Sequence, residues 1–149
     1  MNKALQYAEK NLGVHEVWAD AQSQLAELNE LYTDLDKSQD QRRELAEQIA
    51  DREGELLSDE RGRHPEMSAA GFDQHFKGVK RGDTALQGFR AKHMEVSGII
   101  NGLEYDVDLL KHRLRLSEAR LIELGGYFNY LASVKQDETA NKTDRTTST

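Results

Sequence analysis

The chain has 149 residues, 27 acidic against 20 basic side chains, a formal net charge of −7, one Pro, 11 Gly and no Cys. The missing Cys excludes a disulfide framework, Cys-ligated zinc and a cysteine nucleophile, and no apolar run approaches the roughly 18–20 residues a bilayer span needs. Met1-Asn2-Lys3-Ala4-Leu5 lacks the apolar stretch of a secretory signal, so the expectation is a cytoplasmic protein with no membrane contact.

Charge is unevenly placed. Residues 1–60 carry 6 basic and 15 acidic groups, net −9, and residues 61–93 carry 7 basic and 3 acidic, net +4. Residues 94–149 return to net −2. A basic island in an acidic chain hints at where a partner docks, although short basic clusters are also ordinary solvated surface.

In chain order, residues 1–13 predict a short helix with Leu5, Ala8 and Leu12 on one side, ended by Gly13. Residues 14–57 then carry a heptad repeat. Its a positions are Val14, Ala21, Leu28, Leu35, Arg42, Ile49 and Leu56, and its d positions Val17, Gln24, Leu31, Ser38, Leu45 and Arg52. Position e adds Trp18, Leu25, Tyr32 and Ala46, so the apolar stripe is wide enough for a helix with more than one neighbour. The polar seam residues Gln24, Ser38, Arg42 and Arg52 either fix register or reach out to solvent.

Residues 58–83 form a Gly-containing basic head. Gly62 and Pro65 are expected to stop the first arm, and Pro65 can open a short helix. Met67, Ala70, Phe72, Phe76 and Val79 would form its apolar face, with Gly82 as the stop and Asp83 capping the second arm. That arm spans residues 84–134. Its a positions are Leu86, His93, Ile100, Val107, Leu114, Leu121 and Phe128. Its d positions are Phe89, Val96, Leu103, Leu110, Ser117, Leu124 and Leu131, making twelve of fourteen apolar. Seven heptads without a skip argue for a coiled-coil arm. Gly98 and Gly102 suggest either close helix approach or a bendable point, and Gly125-Gly126 a kink or an early end. Residues 135–149 have Ala140 as their one apolar side chain and are expected to be disordered.

The fold expected is therefore all-α: an elongated antiparallel coiled-coil hairpin with a short helix in its connection, dimerising into a helical bundle. Facing positions whose numbers sum to 145 put a against d, so Leu56 meets Phe89, Ile49 meets Val96, Leu45 meets Ile100 and Leu35 meets Leu110. In that register Arg52 faces His93, Arg42 has Asp106 nearby, and Trp18, Tyr127, Phe128 and Tyr130 gather at the base, as core or as a docking surface. Leu28, Leu35, Ile49, Leu86, Phe89, Ile100, Leu103, Leu110, Leu114 and Leu121 are the expected core.

No catalytic constellation, nucleotide loop or metal spacing is evident, and neither a metal nor a cofactor is expected. His93 falls on a seam position and reads as a tolerated core residue. The expected binding residues are Arg61, Arg63, Lys77, Lys80, Arg81, Arg90 and Lys92, with Phe72 and Phe76 between them. The function these features imply is a non-enzymatic interaction protein, a homodimer presenting its basic head to a protein partner. Two other readings fit the charge: a nucleic-acid-binding hairpin using the head, or an inhibitor whose acidic first arm mimics nucleic acid.

Overall fold

The structure, a computed structural model, describes residues 3, 6, 10 and 13–147, apart from the side chains of 127, 128, 131 and 134–147. Three helices follow Gly13: α1 (Val14–Arg63), α2 (Ala69–Gly82) and α3 (Thr84–Thr147). Among the described residues there is no strand, and no helix is long and apolar enough to cross a membrane. Of the short helix expected over 1–13, Lys3, Gln6 and Lys10 are helical, Gly13 is not, and the rest lies outside the described residues.

Local chemistry explains each boundary. Gly13 has φ 62, the left-handed region that costs glycine little, and its carbonyl accepts from Val17 N at 3.0 Å to begin α1. Gly62 does not stop α1, which runs six residues past the expected end at 57. The stop is set by Pro65, which disfavours helical geometry at the residue before it. Pro65 also does not open α2. Ser68 does, in extended backbone, with its Oγ accepting from Gly71 N at 3.2 Å. Asp83 closes α2 by donating its N–H to Val79 O at 3.1 Å. It opens α3 by accepting from Leu86 N at 2.9 Å on Oδ2. Gln87 Nε2 adds a bond to the Lys80 carbonyl at 2.8 Å. α3 passes through Gly125-Gly126 and continues to Thr147, across the stretch expected to be disordered. Once a helix is nucleated, each added residue gains a hydrogen bond without a new nucleation cost, and neither Pro nor an αL residue intervenes.

The chain divides into two compact units, residues 1–30 with 107–149 and residues 31–106. The second is a helical hairpin: the C-terminal part of α1, then α2, then the N-terminal part of α3. Leu45, Val96 and Ile100 form its buried cluster, with Leu35 and Phe89 packed against it. Leu45 shares this cluster with both Val96 and Ile100; the hydrogen bond between Ser117 and Gln24 joins positions that the expected register, with its sum of 145, does not pair. Leu56, Leu86 and Phe72 are buried, Leu86 completely. Arg52 departs from its expected facing of His93. Its guanidinium forks onto Asp83, Nε to Oδ2 at 3.0 Å and Nη2 to Oδ1 at 2.8 Å. No ion pair joins Arg42 to Asp106 among the described residues.

In the other unit Ala21, Leu28, Val107, Leu110 and Leu124 are buried. The two polar d residues there meet each other, Ser117 Oγ donating to Gln24 Oε1 at 3.0 Å. Trp18 is 54% exposed and Tyr130 63%, so neither is core; Tyr127 and Phe128 are outside the described side chains.

In both units every described a and d residue is buried or half-buried, while the e residues Trp18, Leu25, Tyr32 and Ala46 are exposed. Among the described residues, the apolar burial within the chain follows the seam. Gly98 and Gly102 are exposed, and a Cβ added at either meets nothing within 4 Å. Among the described residues nothing packs against them closely enough to need their smallness.

Urea melts of single variants should separate seam from surface. Ile100→Ala, at a side chain 1% exposed, should cost about 2–5 kcal/mol, whereas Met94→Ala, 77% exposed, should stay within about 0.5 kcal/mol. Gly102→Ala should stabilise by about 0.5–1 kcal/mol, because it removes unfolded-state entropy and fills open space.

Candidate functional site

The head combines the end of α1, the turn 64–68 and α2. Glu60 occupies the last turn of α1 and is buried. A carboxylate there is held only if it is paired, and three groups do so. His75, from α2, places Nε2 2.8 Å from Glu60 Oε2; His64, one turn beyond Glu60, places Nε2 at 3.5 Å; Arg63 Nη1 lies 3.3 Å from Oε1. The hydrogen bond from His75 is the largest influence holding the Glu60 carboxyl below its usual range, with Arg63 and His64 adding to it against the effect of burial. The two imidazoles meet edge to face, centroids 4.7 Å apart.

Beside this cluster the two phenylalanines stack, Phe72 on Phe76 at 5.8 Å and 11°. Arg61 lies over Phe72 at 5.6 Å and Lys80 over Phe76 at 5.1 Å. Phe72 is buried and Phe76 half-buried. Each ring thus carries a ring contact and a cation contact within the head.

At the opposite end of α2 stands Asp83. Its carboxyl is pulled down to about 2, first by the Arg52 hydrogen bonds and then by the Leu86 amide. Arg52 also bonds Glu55 Oε2 at 3.1 Å.

The seven cations expected to bind divide into two groups. Arg63 pairs with Glu60, and Arg90 pairs with Glu53 on α1; both are internal ties. Arg61, Lys77, Lys80, Arg81 and Lys92 have no carboxylate partner among the described residues. Lys77, Lys80 and Arg81 share one face of α2 by their i, i+3, i+4 spacing. Two of them stand in its last turn, where they also complement the helix dipole.

Sequence reasoning missed Glu60, His64 and His75 as a group, and missed the Arg52–Asp83 clamp. The first had a partial signal, since Glu60 and His64 are four apart across a helix end. The third member comes from another helix.

By fold the molecule belongs to the all-α helical hairpins with a short helix in the connection. No family model, curated protein or solved structure matches the chain.

Because the folded-state pKa of Asp83 lies below its unfolded value of 3.8, the clamp's contribution is complete above that value and is lost as pH falls through about 2. Asp83→Asn keeps a competent cap but removes the charge. Chemical melts between pH 5 and pH 2 should show a weaker loss of stability on acidification in the variant than in the wild type.

Proposed function

We propose that the protein is a non-enzymatic interaction protein that self-associates through apolar residues outside its seam and offers its head to an acidic protein surface. The observation that carries the reading is the split among the head cations. Two are spent internally, and five, three of them along one face of α2, have no acidic partner among the described residues. Unpaired cations crowded in one place repel one another, and an acidic surface relieves that repulsion. Phe72 is buried and both rings already hold a ring and a cation contact, which favours a protein over single-stranded nucleic acid, held largely by bases on free aromatic faces.

Self-association rests on exposed apolar side chains. Trp18 and Leu25 lie at e positions of α1, and Leu109, Leu116 and Ile122 lie outside the seam of α3 in the same unit. All five are at least 40% exposed. Large apolar side chains that recur at helical spacing outside a seam are what a second hairpin can cover.

Capture on immobilised polyglutamate and on a DNA duplex, at low and high salt, tests the head. The wild type should be retained on polyglutamate at low salt, and K77Q/K80Q/R81Q should lose most of that retention. Retention on DNA alone would favour the nucleic-acid reading. Its salt slope should then fall by about 2–3 in the triple variant, since each phosphate contact contributes about 0.7–0.9. Retention on neither removes the head from the function. For self-association, sedimentation of the wild type should give a dimer that Trp18→Ser/Leu25→Ser shifts toward monomer; a monomeric wild type at high micromolar concentration would refute it.

A further inference from the structure

We propose that Glu60, His64 and His75 form a binding site for a divalent transition cation of the zinc class. Each residue contributes one donor atom, and the three donors lie within 4.8 Å of one another. Around a tetrahedral ion with bonds of about 2.0–2.1 Å, neighbouring donors sit about 3.3–3.4 Å apart. The Glu60–His64 separation of 3.5 Å is already close to that edge, and the Glu60–His75 separation of 2.8 Å is a hydrogen bond that must open slightly. Both adjustments are within the reach of side-chain rotation.

The donors are held from the backbone outward. Glu60 and His64 are one turn apart, and the His64 N–H still bonds the Glu60 carbonyl at 3.0 Å, so the helical spacing extends to the second donor. His75 is fixed on α2, whose Phe72 is buried and whose far end is tied by the Asp83 clamp. Glu60 is nearly buried, while the His64 and His75 side chains are 39% and 33% exposed. One side of the cluster is therefore open to water, where a groove is lined by Arg63, His64, Pro65, Glu66 and Met67. Two imidazoles and one carboxylate, with room for water, make a donor set for zinc-like ions. Calcium and magnesium take oxygen donors instead.

The charge is favourable in part. Glu60 supplies a negative donor, and the Arg63 guanidinium stays on its other oxygen, Oε1, leaving Oε2 for the ion. That cation lowers the affinity below what three donors alone would give, so micromolar rather than nanomolar binding is the expectation. An ion here would join the last turn of α1 to α2 and so fix the angle at which the head cations are presented.

The test uses the tag-free full chain at neutral pH, titrated with zinc by calorimetry and with cobalt(II) by visible absorption. One equivalent should bind, with the absorption bands of a four- or five-coordinate cobalt site. His64→Ala and His75→Ala should each weaken zinc binding by at least about tenfold, since even outer-sphere partners of metal ligands carry 10–100-fold. His15→Ala should change nothing, and calcium and magnesium should not compete. Far-UV circular dichroism checks that each variant keeps its helices. His64 is half-exposed and outside the apolar seam, so its variant decides the matter if His75→Ala unfolds. Absence of saturable zinc binding in the wild type, or binding that both variants leave intact, would overturn the assignment.

Discussion

Three demands meet on Asp83. Its backbone ends α2, its carboxylate accepts a free amide opening α3, and the same carboxylate is forked by Arg52 from α1. No further loop residue separates the two helices it serves. A chain that reverses direction beside a polar interruption in an apolar seam has to satisfy that interruption or expel it. Here a bidentate guanidinium–carboxylate pair does so, the geometry for which Arg is better suited than Lys. The clamp sets where α2 leaves α3, and with it the side of α2 that turns toward Glu60.

The polar breaks in the seam therefore have more than one character. Gln24 and Ser117 bond each other, each removing the other's desolvation cost. Arg52 leaves the seam for the carboxylate that caps two helices. A buried apolar layer is interchangeable along a heptad, because any Leu fits against any other. A polar pair is not, because shifting one partner leaves the other unsatisfied. Polar pairs of this kind specify register in a way the apolar layers cannot, at a stability cost that the buried apolar seam residues offset.

Legibility in the sequence tracks the range of the interaction. The heptads of 14–57 and 84–134 place every described seam residue on a buried or half-buried face, because a 3.5-residue period is a local property that survives any choice of partner. Ends are harder. Gly62 looks like a stop and is not, since a glycine merely weakens a helix by about 1 kcal/mol. Pro65 reads as a start and acts instead through the residue before it. The expectation of disorder after 134 rests on composition, which measures what a segment can bury and says little about whether a helix already formed will continue. The base aromatics go astray for a different reason: Trp18 sits at e, one position off the seam, and two helices alone do not cover it.

The head is half legible. Its cations can be counted, but which of them are free depends on where Glu53 and Glu60 fall relative to Arg90 and Arg63, which requires the turn. The histidines lack metal-ligand spacing along the chain, but that criterion suits sites built on one helix. Glu60 and His64 meet it as a pair. His75 joins them only because α2 folds back across the end of α1, eleven residues after His64 in sequence. Sites assembled at a hairpin bend have this property in general: the bend supplies the third donor, so the chemistry depends on the turn geometry that Ser68 and Asp83 fix at the two ends of α2. Whatever the head binds, its chemistry and its fold are set by the same few polar side chains.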